Sequence, residues 1–312
     1  MKIVFMGTPD FAVSSLAALL DAGHEVVLCV TQPDRPKGRG GKVQFSDVKE
    51  FALARNIPVF QPVKIREPEA VARLREIEAD IFVVAAFGQI LPEEILTMPP
   101  LGCVNVHASL LPKYRGAAPI QWSILNGDKT TGVTIMQMGV GLDDGDILSR
   151  REVEILPEET GGSLFEKLAK VGGELLTETL PKLASGEITP VPQDEALATK
   201  VGMIRKELGK LDFSRSAAEL ERYIRGLSPW PSAYAKLNGK TVKLCGAAVL
   251  PLPEGAENAA YGEVVFVDKH SLYVKTGEGV LSIKELQPEG KKRMPVTDFL
   301  NGTKVEKGMR FS

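Results

Sequence analysis

The sequence predicts an α/β domain built on a mostly parallel sheet, followed by a small β-barrel domain. Residues 2–31 read as an apolar run, a turn, an amphipathic segment and a second apolar run, the pattern of a β-α-β unit. The run IFVVAAFG from Ile81 is apolar on both faces, as a central strand of a parallel sheet is. After residue 207 the chain changes to short strand-like runs separated by turn residues, which is typical of a small barrel.

Length and composition agree with two globular domains. The chain has 312 residues, 44% of them apolar and 25% charged, which excludes a disordered, collagen-like or coiled-coil protein. Lys and Arg total 38 against 40 Asp and Glu, so the formal net charge is -2. No global cationic field is then available to hold a nucleic acid, and any site for a polyanion must be local.

The cysteines and the lengths of the apolar runs indicate which cellular compartment to expect. Cys29, Cys103 and Cys245 are too few and too scattered for a disulfide framework or a zinc ribbon, so we expect three buried packing residues in a reducing compartment. A Thr-Pro-Asp turn interrupts the first apolar run, which favours a core strand over a signal peptide. No run reaches the roughly 20 apolar residues of a membrane span. We therefore expect a cytoplasmic protein that does not contact a membrane.

The periodicities predict the elements of the first domain in order. Strands are expected at 2–6, 25–31, near 59, 81–88, 102–107, 132–138 and 146–155. Helices are expected at 11–22, 46–55, 67–76, 118–125 and 160–183. The next stretch mixes Gly, Pro and polar residues with little periodicity. We accordingly place the first domain at 1–184, a linker at 185–206 and the barrel domain at 207–312.

The strand at 102–107 ends in a candidate catalytic pair, Asn105 and His107. Side chains two residues apart on a strand point to the same side, and open α/β sheets bind ligands at the carboxyl ends of their strands. An amide donor and an imidazole there can polarise a carbonyl, bind a developing oxyanion and pass protons. A hydrogen-bonded structural histidine explains the same two residues equally well.

The Gly-rich loop MGVGLDDGDIL carries three carboxylates, Asp143, Asp144 and Asp146. One of them placed beside the imidazole would orient it, favour its charged form and order a water for proton transfer. A hard cation is the competing ligand, but the spacing does not complete an EF-hand loop and no distal Glu is placed for one. The sequence therefore predicts no metal site here.

A loop at 34–42 concentrates positive charge. It holds Arg35, Lys37, Arg39 and Lys42 among three glycines. Such cations suit the phosphates of an RNA end. A solvated surface loop has the same composition, so the loop alone does not decide between the two.

Five segments carry a resemblance that covers the chain from Met1 nearly to Ser312. They are MGTPDFA, TQPDRPKGRG, NVHASLLPKYRGAAPIQWSILNGD, MGVGLDDGDIL and SPWPSAYAKLNGKTVKL. These segments resemble those of the methionyl-tRNA formyltransferase family, a branch of the folate-dependent formyltransferases. The resemblance implies a Rossmann-like formyltransferase domain and an OB-like C-terminal barrel that binds tRNA.

The resemblance also implies the catalytic residues. Asn105 and His107 would act on the formyl group, and Asp143, the first Asp of LDDGD, would be the third member of the set. Asp144 stands where relatives often have Thr, so two neighbouring acids compete for the place beside the histidine. Our choice is Asp143.

Substrate-binding residues follow from the same resemblance. The co-substrate would be 10-formyltetrahydrofolate, in a pocket lined by Ser109, Leu110, Leu111 and Pro112. The pterin ring would lie on the loop formed by Phe87, Gly88, Gln89, Ile90 and Leu91. The initiator tRNA would be contacted by Arg35, Lys37, Arg39 and Lys42, with Arg39 matching an important arginine of the family.

The implied reaction moves a formyl group from 10-formyltetrahydrofolate to the α-amine of initiator methionyl-tRNA, for translation initiation, in a monomeric enzyme. A formyltransferase for glycinamide ribonucleotide or an amino sugar nucleotide would use the same catalytic residues, but the basic loop and the barrel argue against it. A dehydrogenase would need a GxGxxG turn, whereas MGTPDFA supplies Pro9 and Asp10 there. A non-enzymatic RNA-binding protein would have no use for Asn105 and His107 facing a carboxylate.

Overall fold

The structure, a computed structural model, describes residues 1–37 and 42–312, and only the backbone of 35–37 and 42–43. Contacts divide the chain into two compact units. The first unit contains Met1–Pro119, Thr130–Glu154 and Phe165–Val201. The second contains Ile120–Lys129, Ile155–Leu164 and Gly202–Ser312. The domain boundaries at 184 and 206 stay a prediction. The predicted linker is divided between the two units, with 185–201 in the first and 202–206 in the second.

Strands and helices up to residue 201 lie where the periodicities predicted the main ones. The strands are β1 (Lys2–Gly7), β2 (Glu25–Val30), β3 (Arg35–Lys37), β4 (Lys42–Gln44), β5 (Val59–Phe60), β6 (Ile81–Ala85), β7 (Cys103–His107), β8 (Arg115–Gly116), β9 (Thr130–Gln137), β10 (Ile147–Glu154) and β11 (Lys200–Val201). The helices are α1 (Asp10–Asp21), α2 (Asp47–Leu53), α3 (Pro68–Arg75), α4 (Glu93–Leu96), α5 (Pro119–Leu125) and α6 (Gly161–Ala184). A 3-10 helix spans Glu195–Leu197. The short pairs β3, β4 and β8, β11, and helix α4, were not predicted.

The main sheet of the first unit is parallel on one side and antiparallel on the other. Within the described residues its order is β10-β9-β7-β6-β1-β2-β5. The five strands β5, β2, β1, β6 and β7 are parallel to one another. Strand β9 is antiparallel to β7, and β10 is antiparallel to β9. Strands β1 and β6 are buried on both faces, which explains their continuous apolar sequences, and β7 is buried as well although it carries Asn105 and His107. The predicted α/β class is confirmed.

Strand β7 occupies the position where the sheet changes from parallel to antiparallel. Its parallel neighbour is β6, with Val84 opposite Asn105. Its antiparallel neighbour is β9, with Thr134 opposite His107. The loops that follow β6 and β7 therefore begin at the same edge of the sheet, whereas β9 runs away from that edge.

The second unit is built around an antiparallel sheet that contains β12 (Ala233–Leu237), β13 (Lys240–Leu250), β14 (Val264–Val267), β15 (Leu272–Lys275), β16 (Val280–Pro288) and β17 (Met294–Pro295). The strand order is β12-β13-β16-β15-β14, with β17 also on β16. The last residues of the chain bridge both edges, since Phe311 pairs with Leu237, the last residue of β12, and Arg310 pairs with Glu263, just before β14. This bridging closes the sheet, and the predicted β-barrel is confirmed.

Two helices of the second unit escaped prediction. They are α7 (Ala217–Gly226) and α8 (Val296–Gly302), and a 3-10 helix spans Lys206–Gly209. Helix α7 begins with a capping box, in which Ser216 and Glu219 bond each other's backbone N–H groups. Its apolar side packs into the barrel core through Leu220 and Ile224. In the described part of the chain, no helix combines the length and apolar character needed to cross a membrane.

Candidate active site

Asn105 and His107 lie on one side of β7 and are almost completely buried. Their exposed fractions are 9% and 6%. The alternate residues of the strand, Val104 and Val106, point to the opposite side and are buried there. The sheet thus fixes both polar side chains by placing them on a central strand between β6 and β9.

The imidazole of His107 lies between two oxygen atoms. Its Nε2 is 2.9 Å from the carbonyl oxygen of Tyr114, and because a carbonyl only accepts, Nε2 carries a hydrogen and donates it. Its Nδ1 lies 3.7 Å from Oδ2 of Asp143. The second distance is longer than a hydrogen bond, so the carboxylate lies beside Nδ1 without bonding to it.

Asp143 is held by its carboxylate and by its backbone. Its Oδ2 accepts a hydrogen bond of 2.7 Å from the backbone N–H of Gly116. Its backbone has a φ of 49°, in the left-handed region that Asp tolerates better than most residues. The loop leaves β9 where Met138 N–H bonds the carbonyl of Cys103, at the start of β7, so it runs back along β7 to bring Asp143 to His107.

Asp144 faces away from the histidine, towards its own loop. A Cβ added at Gly141 would lie 1.9 Å from Oδ2 of Asp144, and one added at Gly139 would lie 2.9 Å from Oδ1. The glycines of this loop therefore leave space that the Asp144 carboxylate fills. Of the two neighbouring acids, the structure brings Asp143 to His107.

The segment 109–112 forms the turn that follows His107, and two of its four residues are fully buried. Ser109 and Leu111 are fully buried. The Ser109 hydroxyl donates to the carbonyl of Lys113 over 2.6 Å, and Leu111 packs against Met136 and Ile147. Leu110 and Pro112 are partly exposed. Only these last two side chains are accessible to a ligand, while the buried pair shapes the turn after His107.

The loop at 87–91 lines a cavity of about 890 Å³. Phe87 and Leu91 are buried in the core, whereas the Ile90 side chain is 77% exposed. The carbonyl of Phe87 accepts hydrogen bonds from the side chains of Thr8 and Gln32. These bonds fix the loop to the ends of β1 and β2.

The same cavity combines apolar and charged walls. Its lining includes Phe45, Val63, Lys64, Arg66 and Ile90, and the loop backbone from 86 to 90. The residues that line it do not include Asn105, His107 or Asp143. The strand-end cluster and the cavity are therefore two separate features of the first unit, one chemical and one suited to binding.

The basic loop is a hairpin at its base. Arg35 pairs with Gln44, and Lys37 with Lys42, in the antiparallel ladder of β3 and β4. The preceding residue, Asp34, accepts a hydrogen bond of 2.5 Å from Lys49, and this contact lowers the pKa of the Asp34 carboxyl. Arg39 lies outside the described residues, and so do the side chains of Arg35, Lys37 and Lys42. Their predicted contacts with RNA stay a prediction.

Sequence reasoning missed three residues beside Asp143: Arg115, Gln193 and Glu195. The Arg115 side chain is 3% exposed, and its guanidinium donates to the side chains of Gln193 and Glu195. Contact with Glu195 raises the pKa of Arg115, and the guanidinium lowers the pKa of Glu195. No local pattern marks these residues, because Gln193 and Glu195 lie in a polar segment without periodicity.

The cysteines take no part in the cluster. Cys29 and Cys103 are fully buried, and burial raises the pKa of each thiol to about 12. Cys245 is only partly buried, so the expectation of three buried cysteines is wrong for this one, which lies on the long strand β13. Over residues 1–37 and 42–312, no group of three or more His, Cys, Asp or Glu side chains is arranged to hold a metal ion.

Comparison with known families gives two matches that together cover most of the chain. The formyl transferase family matches residues 1–180. The formyl transferase C-terminal domain family matches residues 203–304. Among curated relatives, the methionyl-tRNA formyltransferase of Agathobacter rectalis is 53% identical over 312 residues, which is 100% of both chains. That of Myxococcus xanthus is 49% identical over 98% of this chain and 96% of its own.

Solved structures share the fold at low identity. An N-formyltransferase from Helicobacter canadensis, in complex with folinic acid and dTDP-3-aminofucose, has a TM-score of 0.67 at 17% identity, covering 94% of this chain and 100% of its own. HypX from Aquifex aeolicus, in complex with tetrahydrofolic acid, has a TM-score of 0.63 at 18% identity. The match covers 99% of this chain and 50% of HypX, so the present chain spans about half of that protein.

Proposed function

The chain belongs to the methionyl-tRNA formyltransferase family, and on this basis we propose that it transfers the formyl group of 10-formyltetrahydrofolate to the α-amino group of initiator methionyl-tRNA. The observation that carries the proposal is the full-length similarity, which includes the C-terminal barrel as well as the catalytic domain. The products are N-formylmethionyl-tRNA and tetrahydrofolate. The enzyme would act in the cytoplasm as a monomer.

In this proposal Asn105 and His107 act on the formyl oxygen. The neutral methionyl amine attacks the formyl carbon, and negative charge develops on the oxygen as the carbon becomes tetrahedral. The Asn105 amide and the Nδ1–H of a protonated His107 would stabilise that charge, because Nε2 is bonded to Tyr114 while Nδ1 lies 3.7 Å from Asp143, and hydrogen bonds in a water-poor site are strong and cost no reorganisation. Among the described residues, none hydrogen-bonds the side-chain amide of Asn105, which suits a group that binds substrate.

Asp143 would assist the proton transfer. The attacking nitrogen must lose a proton, and the folate nitrogen must gain one before its bond to the formyl carbon can break. The Asp143 carboxylate lies 3.7 Å from the imidazole, and a water held by the pair would carry the proton. Catalytic contacts are often long without substrate and shorten when substrate binds. Cys103 has no role as a nucleophile, since its thiol pKa is about 12.

The folate would bind between the loop at 87–91 and the end of β7. Support comes from the adjacency of β6 and β7, which brings the loop after β6 next to the catalytic strand. The cavity on the other side of this proposed path, lined by residues 86–90, would offer the loop backbone for the polar edge of a pterin and exposed apolar side chains such as Ile90 for its rings. Lys64 and Arg66 in the cavity wall suit the carboxylates of the folate glutamate. The segment 109–112 would contribute Leu110 and Pro112 directly.

The acceptor arm of the tRNA would contact the hairpin formed by β3 and β4. The proposal rests on the cations Arg35, Lys37, Arg39 and Lys42 and on the anchoring of Asp34 by Lys49 at the base of the hairpin. Phosphate contacts by Lys and Arg dominate nucleic-acid affinity and weaken with salt. A protein with a net charge of -2 needs such a local concentration of positive charge.

A panel of acceptors tests the proposal. The full-length protein is incubated with 10-formyltetrahydrofolate and, separately, with charged initiator methionyl-tRNA, uncharged tRNA, glycinamide ribonucleotide and an amino sugar nucleotide. We expect formylation of methionyl-tRNA alone. Transfer only to a small amine would retain the chemistry and refute the tRNA assignment, and no transfer to any acceptor would refute the folate reaction.

A further inference from the structure

A segment from the predicted linker lies beside the catalytic loop. Residues 191–201, here named the flanking segment, belong to the first unit and are attached to the rest of it by two backbone pairings. Val191 pairs with Ile147 at the start of β10, and β11 pairs in parallel with β8. Thr199 adds two bonds, since its carbonyl accepts from Arg115 N–H and its hydroxyl from Tyr114 N–H, each over 2.8 Å.

Between these pairings, Gln193 reaches the backbone of the catalytic loop. Its Nε2 donates to the carbonyl oxygen of Asp143 over 2.8 Å and to that of Gly145 over 2.7 Å. Its Oε1 accepts from Nε and Nη2 of Arg115 over 3.0 Å and 2.9 Å. A guanidinium can only donate hydrogen bonds, so it must face the amide oxygen of Gln193, and the amide nitrogen therefore faces the loop. The four bonds use both ends of the Gln193 amide.

Arg115 itself is placed by the strand that also anchors the Asp143 carboxylate. The next residue, Gly116, donates its N–H to Oδ2 of Asp143. A Cβ at Gly116 would lie 2.5 Å from the carbonyl oxygen of Val201, so glycine permits the close approach of β8 and β11. Glu195 neutralises the buried guanidinium from the solvent side, where its own side chain is 73% exposed.

We propose that Gln193, oriented by Arg115, is a positioning residue that holds the Asp143 backbone so that the carboxylate faces His107. Asp143 has a left-handed backbone with a φ of 49°, which needs support from its neighbours. Gly116 holds its carboxylate and Gln193 holds its carbonyl, so the two bonds determine both the position and the direction of the side chain. This inference rests on the proposed function.

Two substitutions of Gln193 separate positioning from packing. Gln193→Met has similar length and loses every hydrogen bond. Gln193→Glu keeps an acceptor for Arg115 but replaces the N–H donors with an oxygen that repels the two carbonyls. If the donors position Asp143, both variants lose activity, whereas a role confined to pairing with Arg115 would leave Gln193→Glu active. Gln287→Ala, which removes a glutamine bond to the Lys291 carbonyl in the barrel, is the matched control.

We expect kcat to fall by about 10- to 100-fold in both Gln193 variants, because small misplacement of a catalytic group costs up to about 100-fold. KM for methionyl-tRNA and for the folate should stay within about threefold, and Gln287→Ala should match the wild type. Nitrogen-15 NMR of the His107 ring, recorded without substrate, should move in the direction seen for Asp143→Asn.

Two results would overturn the proposal. One is a kcat of Gln193→Glu equal to that of the wild type. The other is an unchanged His107 ring signal in both folded variants. The NMR readout does not depend on the reaction, so it still tests Gln193 if the wild-type protein proves unable to formylate methionyl-tRNA. A failure of the proposed function and a failure of this inference are thereby distinguished.

Discussion

The strand β7 and the flanking segment both hold the surroundings of Asp143, but by different means. Strand β7 lies inside the sheet, and the exposed fractions of Asn105 and His107 are only 9% and 6%. The flanking segment is mostly exposed and is attached by backbone pairing and polar side chains. A side chain buried in the sheet cannot move unless the sheet unfolds. A residue held by separate hydrogen bonds at the surface can shift when one of those bonds is removed. We expect substitutions in the two regions to differ in size accordingly.

The largest effect is expected for His107→Ala. It removes the imidazole that binds the developing charge and passes the proton, so kcat should fall by about 1,000-fold or more. The affinity for tRNA should change by less than about threefold, because His107 is buried and does not contact the hairpin of β3 and β4 in the proposed complex. Single-turnover rates and filter binding measure the two quantities, with the exposed His270→Ala as the control. A normal rate in His107→Ala would refute its catalytic role.

A smaller loss is expected for Asp143→Asn. The amide oxygen still accepts from Gly116 N–H, so the geometry is retained while the negative charge beside His107 is lost. We expect kcat to fall by about 100-fold, in the range of general acid–base effects. Asp144→Asn is the matched control, since Asp144 faces the loop glycines, and it should stay within about threefold of the wild type. Equal losses in both variants would contradict the assignment of Asp143.

Arg39→Ala tests a contact that belongs to neither region. It should weaken tRNA binding by about tenfold at low salt and by progressively less as salt rises, because each phosphate contact contributes to the salt slope. The rate at saturating tRNA should not change. Binding titrations at several salt concentrations measure the slope, with the exposed Arg73→Ala as the control. A salt-independent loss, or none, would count against a phosphate contact.

Thr199→Val tests the attachment of the flanking segment alone. It removes the hydroxyl that accepts from Tyr114 N–H and should lower the free energy of unfolding by about 1 kcal/mol. Activity should fall by less than about threefold, because Gln193 keeps its bonds to Asp143 and Gly145. Urea denaturation and kcat are measured on the same preparation. An unchanged unfolding free energy would show that this bond does not hold the segment.

The smallest effect is expected for Cys103→Ala. Burial raises the thiol pKa to about 12, so the reactive thiolate is scarce at pH 8 and increases as pH approaches 12. Activity should remain within about twofold of the wild type, and iodoacetamide should not label Cys103 in the folded protein at pH 8. Mass spectrometry of labelled peptides checks this. Loss of turnover without loss of stability would reopen a covalent mechanism.

The sequence was enough to predict the strand that carries the candidate pair. The two-residue spacing of Asn105 and His107 at the end of a short strand is visible in the sequence. The family resemblance implied Asp143 as the third member of the set, and the structure places its carboxylate 3.7 Å from His107. The direction of β9 could not be predicted, and it determines that the loop runs back along β7 to reach the histidine.

Long-range polar contacts were beyond sequence reasoning. Gln193 lies 50 positions from Asp143 and 78 from Arg115, and nothing in its neighbourhood marks it. The stretch around it lacks periodicity because backbone bonds to a distant strand hold it, and such pairing leaves no local pattern. Helix α7 is a different case, since Ser216 and Glu219 form a capping box that the sequence displays. The start of this helix could therefore have been predicted from the sequence.

The proposed mechanism assigns the chemistry to the β7 cluster and the binding of tRNA to the basic hairpin. Rapid-mixing kinetics of formyl transfer within the preformed complex of enzyme, folate and methionyl-tRNA tests it most directly, using the wild type, His107→Ala and Arg39→Ala. We predict that His107→Ala loses the transfer rate and keeps the tRNA dissociation constant, while Arg39→Ala keeps the rate and loses affinity at low salt. A loss of the transfer rate in both variants, or of affinity in both, would contradict the claim.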